Sequence, residues 1–134
     1  YAAALAPPMA AARLGVPPVA LADLVAETTW PDGVNVGLVE AAGGVRSPIA
    51  DDGDGRDLAR ALAPDAVVLV ADAGLGTIHA VRSSLEGLEV APVVVHLNRF
   101  DGADPLHAEN RAWLADRDGL TVTVDIPALA AALV

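Results

Sequence analysis

The chain has 134 residues, of which 54% are hydrophobic and 19% are charged, so its composition suits one compact domain and excludes disorder for most of its length. Eighteen acidic residues oppose eight basic ones, all of them arginine, and the resulting net charge of −10 argues against a nucleic acid partner. The absence of cysteine excludes disulfides and a cysteine nucleophile, and the apolar runs are far shorter than the roughly 20 residues of a membrane helix, so no membrane partner is expected.

The first segment to interpret is the alanine-rich start of the chain, residues 1–16. It lacks a basic first region, and Pro7 and Pro8 interrupt its apolar stretch, so we do not expect a secretory signal. A sequence that begins at Tyr1 rather than at methionine favours a longer natural chain with residues upstream.

Short runs rich in β-branched residues predict four strands, at residues 34–39, 66–71, 92–97 and 121–124. Three of the runs are nearly continuous in Val, Leu and Ile, which is typical of strands that are covered on both faces of a parallel sheet. Segments with apolar residues at helical spacing alternate with them, at residues 57–62, 77–88 and 105–116. This order predicts an α/β fold, a three-layer α/β/α sandwich with a mostly parallel sheet.

Polar and glycine-rich segments follow three of the predicted strands. Glu40 and the short run Ala41, Ala42 and Gly43 follow the first strand, residues 72–77 (DAGLGT) follow the second, and residues 98–101 (NRFD) follow the third. Ligands of open α/β sheets bind at the carboxyl ends of the strands, which lie at one edge of the sheet. The three segments are therefore expected to form one site.

The carboxylate of Glu40 has two interpretations. At the tip of a strand it is suited to binding Mg²⁺, whereas a residue that caps a helix or is solvated in a loop would have no metal role. The residues after it carry almost no side chain, which either lets a ligand approach the main chain closely or makes a tight turn.

The glycine-rich segment at 72–77 leads into a predicted helix whose first amide groups have no partner within the helix. Such amides, together with the helix dipole, form an anion site. Thr77 is alternatively the N-cap of that helix, and the two roles are compatible. His79, on the first turn, either reaches the same anion or is a surface residue.

Several other patterns in the sequence predict no catalytic or metal-binding role. The acidic run at 51–57 does not have the spacing of a calcium loop, and we interpret it as a solvated segment that caps the next helix. His96 and His107 share no metal-ligand spacing and are interpreted as structural. The serines lack the context of a catalytic nucleophile.

The strand-end segments together resemble the dethiobiotin synthetases. Residues 38–51 (LVEAAGGVRSPIAD) are similar to that family's VEGAGG…PL.D segment, and residues 69–78 (LVADAGLGTI) to its LV…LGTIN segment. Residues 95–99 (VHLNR) resemble its VLNR segment, and residues 5–11 (LAPPMAA) resemble the APH.AA approach. The matches occur in order and cover most of the chain.

This resemblance implies a P-loop-type ATPase fold over a single, partial domain at residues 1–134. It implies a reaction of biotin biosynthesis, in which ATP and CO₂ close a ureido ring on 7,8-diaminopelargonic acid through a phosphorylated carbamate. It further implies a cytoplasmic homodimer that uses Mg²⁺.

The resemblance also assigns roles to individual residues. It implies that Glu40 helps to hold Mg²⁺, while Ala41, Ala42 and Gly43 lie along the nucleotide phosphates. The adenine is then read by Asn98, with Arg99 beside it, and is covered by Pro127, Ala128 and Leu129. The substrate carboxylate is bound across the dimer interface by Gly76, Thr77, Ile78 and the residue at the position of His79.

The sequence departs from the family pattern in three places. Ala41 replaces a glycine, His79 replaces an asparagine, and the phosphate-binding motif G-x-x-x-x-G-K-[ST] is absent, as is every lysine. The chain therefore supplies none of the family's catalytic lysines. We expect it to be the C-terminal part of a longer synthetase and to be inactive alone. The alternatives are another member of the same superfamily and a catalytically dead interaction module.

Overall fold

The computed structural model describes residue 2 and residues 4–134, which form two units, Tyr1–Ala63 and Pro64–Val134. Tyr1, on which the expectation of an upstream segment depends, lies outside the described residues. The first unit contains helices and one antiparallel hairpin: α1 (Pro7–Leu14), α2 (Leu21–Glu27), β1 (Pro48–Ala50), β2 (Gly53–Asp54) and α3 (Gly55–Leu62). Among its described residues, the buried apolar ones are Ala10, Ala11, Ile49 and Ala50.

The strand predicted at residues 34–39 is wrong. The segment belongs to no helix or strand, and its apolar side chains face solvent, with Val36 75% and Leu38 82% exposed. A strand requires a hydrogen-bonded neighbour, and within the described ranges no other segment pairs with this one. An apolar run rich in valine is thus insufficient to make a strand when no other segment pairs with it.

The acidic run at 51–57 caps α3, as its sequence predicts. The carboxylate of Asp54 accepts hydrogen bonds from the backbone N–H groups of Arg56 and Asp57, while the Asp57 carboxylate accepts from the N–H of Asp54. This is a reciprocal capping box. Partial desolvation raises the pKa of Asp54, but hydrogen bonds from Arg56, from the backbone of Asp57 and from Arg46 outweigh it and lower the pKa to about 2.

The second unit contains a three-stranded parallel sheet flanked by helices. Its strands are β3 (Val67–Asp72), β4 (Val93–Asn98) and β5 (Thr121–Thr123), in the order β3-β4-β5. The helices are α4 (Thr77–Leu85), α5 (Pro105–Ala112), which continues as a π-helix over Trp113–Arg117, and α6 (Ile126–Ala132). The predicted α/β class and parallel sheet are confirmed.

The central strand β4 is covered on both faces. Val94, Val95, His96 and Leu97 are all buried, although successive residues of a strand point to opposite faces. The Nδ1 atom of His96 lies 3.0 Å from the hydroxyl of Thr123 on β5, so this histidine has the structural environment that the sequence predicts. One face of β4 packs in the main core, whose buried members are Ala73, Val81, Val95, Leu97 and Leu114.

None of the described helices combines the length and the apolar character that a membrane crossing requires.

Candidate ligand-binding site

The carboxyl ends of the parallel strands bring two of the predicted segments to one edge of the sheet. Asp72 and Asn98 are the last residues of β3 and β4 and are paired in the sheet register. Because β5 runs parallel to β4, the start of α6 follows at the same edge. Glu40 does not follow a strand, so the expectation that it lies at a strand tip is wrong.

The glycine-rich turn after β3 is closed by its own side chain and backbone. The carboxylate of Asp72 accepts a 2.7 Å hydrogen bond from the N–H of Gly74. Gly76 is the N-cap of α4, and its φ of 91° lies in the left-handed region that glycine adopts without strain. The alternative that Thr77 caps the helix is wrong: the carbonyl of Gly76 already accepts the bond from the N–H of Ala80, so Thr77 is the first helical residue.

The hydroxyl of Thr77 is buried without a partner. Thr77 is 4% exposed, and its Oγ1 is the one buried side-chain polar atom that lacks a hydrogen bond in the described part of the chain. Within the same described residues, the N–H groups of Ile78 and His79 also have no acceptor. These groups lie at the positive end of the helix dipole, where an anion is stabilised.

A cavity of about 350 Å³ lies beside this helix start. Its lining combines polar and apolar groups, namely Leu69, Val70, Ala71, Asp72, Leu75, Gly76, Thr77, Ala80, Val81 and Ser84. A ligand with a carboxylate at one end and an aliphatic body fits the chemistry of such a lining.

The side chain of Asn110 holds the turn in place from α5. Its Nδ2 donates to the carbonyls of Ala73 and Gly74, both at 2.9 Å. Asn110 is 7% exposed. The sequence analysis does not identify this residue, although its spacing gives a signal: Asn110 lies four residues after Leu106 and four before Leu114, on the apolar stripe of the helix.

Of the other residues on the first turn of α4, Ile78 packs against the core and His79 is exposed. The Nδ1 atom of His79 lies 3.5 Å from the hydroxyl of Ser83, one turn later. Both interpretations of His79, as a ligand contact and as a surface residue, remain compatible with this position.

β4 ends at Asn98 and the loop after it begins with Arg99; both residues are exposed. Asn98 Oδ1 accepts a 3.0 Å hydrogen bond from the N–H of Arg99. Arg99 has a φ of 55°, in the left-handed region that residues other than glycine rarely adopt. Phe100 then packs against the core, which fixes the direction of the loop.

Pro127, Ala128 and Leu129 form the start of α6. The carboxylate of Asp125 caps the helix by accepting a 2.8 Å hydrogen bond from the N–H of Ala128. Pro127 lies in the first turn, where its missing N–H leaves no hydrogen bond unmade.

In the first unit, Glu40, Ala41, Ala42 and Gly43 are exposed and belong to no helix or strand. Gly43 has a φ of 87°, and a Cβ atom there would lie 2.7 Å from the hydroxyl of Ser47. That hydroxyl accepts a 3.0 Å hydrogen bond from the N–H of Gly44. Gly43 is therefore required by the turn itself, which supports the tight-turn interpretation.

Few side chains of the described residues are placed to coordinate a metal ion. The described residues contain no group of three or more His, Cys, Asp or Glu side chains placed to hold an ion. Mg²⁺ is nevertheless often bound by one or two carboxylates together with substrate phosphates and waters. The exposed carboxylate of Glu40 fits that mode and does not fit a site built from protein ligands alone.

Comparison with curated proteins finds similar sequences with a single description, ATP-dependent dethiobiotin synthetase BioD. The chain is 43% identical over 93 residues to the protein of Corynebacterium efficiens, a match that covers 68% of this chain and 41% of that protein. It is 41% identical over 103 residues to that of Caulobacter vibrioides, covering 71% and 46% respectively. It is 44% identical over 94 residues to that of Rhodococcus jostii, covering 68% and 40%. The matches thus span less than half of the length of these curated relatives.

No family model matches the chain. No solved structure matches it.

Proposed function

Because this chain is related in sequence to the ATP-dependent dethiobiotin synthetases over 68–71% of its length, we propose that it contributes to the same ATP-dependent reaction, closure of a ureido ring on 7,8-diaminopelargonate with CO₂. The matches span 41–46% of those relatives, and the chain has no lysine. In this proposal the phosphates are therefore held largely by groups that these 134 residues do not supply. The contribution of this chain is to bind the substrate carboxylate and the nucleotide base.

The unpartnered hydroxyl of Thr77 is the observation that carries the proposal. A buried hydroxyl without a hydrogen bond is costly, so it calls for a ligand acceptor. A carboxylate at the start of α4 would accept from the free N–H groups of Ile78 and His79 and, after a rotation about χ1, from the hydroxyl of Thr77. Threonine populates two χ1 rotamers in helices, which makes that rotation accessible.

The aliphatic body of diaminopelargonate suits the apolar part of the adjoining cavity, where Val70 and Leu75 lie. His79 follows Thr77 and Ile78 on the first turn of α4. An imidazole in place of the asparagine of the family pattern would still present a hydrogen-bonding nitrogen to the carboxylate.

Base recognition is assigned in this proposal to the edge that carries Asn98, Arg99 and the start of α6. The carboxamide of Asn98 has a free donor and a second lone pair on Oδ1 in addition to the one used by Arg99. An adenine edge offers one donor and one acceptor, which match this pair. Pro127, Ala128 and Leu129 supply small and apolar groups that can cover the base.

Mg²⁺ would be held by Glu40 jointly with nucleotide phosphates, and when bound it supplies charge neutralisation of the phosphoryl group. Ala41, Ala42 and Gly43 add little bulk, so the phosphates can approach the main chain. We further propose a cytoplasmic homodimer, because the resemblance implies that the substrate carboxylate is bound across a dimer interface.

Ligand-induced thermal stabilisation tests the proposal. Diaminopelargonate is expected to raise the melting temperature of the chain, and Thr77→Val should abolish most of that rise while leaving the unliganded protein at least as stable, since it removes an unsatisfied hydroxyl at constant volume. Thr77→Ser, which keeps the hydroxyl, is the matched control and should retain the ligand effect.

Two results would contradict the proposal. If diaminopelargonate does not change the melting temperature of the wild-type chain, the chain is better explained as another superfamily member or as an interaction module without catalysis. An unchanged ligand effect in Thr77→Val would remove the hydroxyl from the carboxylate site.

A further inference from the structure

His107 anchors the loop that follows β4. The backbone N–H of Asp101 lies 3.0 Å from His107 Nδ1. Since a backbone amide can only donate, Nδ1 is the acceptor, and the hydrogen of the neutral ring is on Nε2. Nε2 faces the carboxylate of Asp104 at 3.7 Å. The side chain is only 18% exposed, so water competes little for this contact.

The loop that His107 anchors contains a backbone conformation that needs support. Arg99 is in the left-handed region, and such a residue keeps that conformation only where its neighbours hold it. On one side the N–H of Arg99 is held by the side chain of Asn98. On the other side Phe100 packs against the core and against the ring of His107, with ring centroids 6.0 Å apart, and Asp101 is held by Nδ1.

We infer that His107 is a positioning residue that sets the direction of Asn98 and Arg99 and thereby tunes the affinity of this loop for the nucleotide base. The inference rests on the base-recognition role proposed above. His107 itself touches no ligand in this account and acts through the backbone of Asp101.

The anchor requires the neutral form of His107, because only that form has an acceptor at Nδ1. Asp104 faces the ring from the start of α5, whereas the carboxylate of Asp101 accepts a hydrogen bond from the N–H of Ala103 within the loop. From the end of β3, Asp72 adds a carboxylate on the side of Gly74 that His107 also approaches, since a Cβ atom at Gly74 would lie 3.0 Å from Asp72 Oδ1 and 4.0 Å from Nε2. Protonation puts a hydrogen on Nδ1, which then cannot accept from Asp101, while the cationic ring gains attraction to the carboxylates. The loop therefore loses its anchor when His107 becomes charged.

The test uses the 134-residue chain and adenosine, which carries the base without any phosphate. Adenosine affinity is measured by calorimetry, and the protection of the Asp101 amide against hydrogen exchange is measured by NMR. Both are compared at about pH 8 and about pH 5.5, on either side of the range in which histidine changes charge.

Two variants separate the acceptor from the ring. His107→Phe keeps a ring against Phe100 but removes the acceptor, and should lower adenosine affinity about tenfold together with the protection of Asp101. His107→Asn places a carboxamide oxygen near the position of Nδ1 and cannot be protonated. It should keep both quantities near their wild-type values and lose the decrease at acidic pH that the wild type shows.

Asp104→Asn is the control, because it removes the charge that faces Nε2 and keeps the side-chain oxygen that caps α5. It should retain adenosine affinity at about pH 8. The inference is overturned if His107→Phe keeps wild-type protection and affinity, or, should that variant not fold, if His107→Asn keeps the pH dependence of the wild type. If the wild-type chain does not bind adenosine at all, base recognition by Asn98 is overturned, and the tuning role of His107 with it. The hydrogen-exchange protection of the Asp101 amide would still show whether His107 holds the loop.

Discussion

The guanidinium of Arg82 binds the carboxylate of Asp118 through two hydrogen bonds, of 2.9 Å from Nε and 2.6 Å from an Nη atom. The pair joins α4 to the residue that follows the π-helix, 36 positions later in the chain. Bidentate geometry of this kind is the exception among surface ion pairs, most of which contribute little to stability. It fixes the helix that carries Thr77 to the far end of the α5 segment.

We expect Arg82→Gln to lower the melting temperature slightly and to flatten its acid dependence. The hydrogen bond from Arg82 lowers the pKa of Asp118, so the stabilisation is fully present above the ordinary carboxylate pKa of 3.8 and is lost as the pH falls below it. Thermal melts of both proteins between about pH 2.5 and about pH 7 check this. Arg111→Gln, which removes an equal charge from α5, is the control, and equal behaviour of the two variants would contradict a specific role of the pair.

Asn110→Leu is expected to destabilise the chain by about 2 kcal/mol, because it leaves the carbonyls of Ala73 and Gly74 without their donor at nearly constant volume. Denaturant unfolding measures the loss, and Glu109→Gln, an exposed change on the same helix, should be neutral. The turn before α4 should also loosen, so the thermal effect of diaminopelargonate should decrease in the leucine variant. A stable variant with an intact ligand effect would show that the turn holds itself.

Asp54→Asn should lower the stability of the first unit by about 1 kcal/mol at neutral pH, since asparagine can still cap α3 but loses the charge that Arg56 and Arg46 contact. The folded pKa of about 2 lies below the ordinary 3.8, so the contribution of the aspartate is complete above pH 3.8 and disappears as the pH falls towards 2. The wild type should therefore lose more stability than the variant in that window. Parallel curves for the two proteins would show that the charge contributes nothing.

Asn98→Asp keeps an oxygen to accept from Arg99 and removes the amide donor, so the fold should persist while adenine binding weakens by about 1–3 kcal/mol. Competition between ATP, GTP and CTP, together with a melting curve of the unliganded protein, measures the effect. If Asn98 serves only to end β4 through its contact with Arg99, all three nucleotides should be affected equally. That outcome would remove the residue from base recognition.

The parallel sheet was predictable because its signal is local. Residues 92–97 are almost uninterrupted in apolar residues, and such a run at that length is typical of a strand covered on both faces. Residues 34–39 give the same local signal but lack a neighbour, and pairing is a property of the whole fold rather than of the run. The sequence therefore identifies which segments can be strands, but not which of them find a partner.

The site was predictable at the level of segments rather than of atoms. The positions of the glycine-rich turn and of Asn98, which ends β4, follow from the positions of the strand ends, and both lie at one edge of the sheet. That Gly76 rather than Thr77 caps α4 depends on one backbone dihedral angle, which no composition rule fixes. The contacts of Asn110 and His107 bridge 36 and 6 positions respectively, and only the folded chain shows where such side chains reach.

The exposed segment at residues 34–39 (VNVGLV) has a consequence for the behaviour of the protein in solution. Six uncharged residues without proline, three of them valine, are open to solvent and unpaired within the described residues, and such a segment can template intermolecular cross-β assembly. Mutual repulsion between chains of net charge −10 opposes that assembly at neutral pH. Near the isoelectric point of about 4.4, or in concentrated salt that screens the charge, the repulsion between chains vanishes. The colloidal stability of the protein then depends on six residues that contribute nothing to its core.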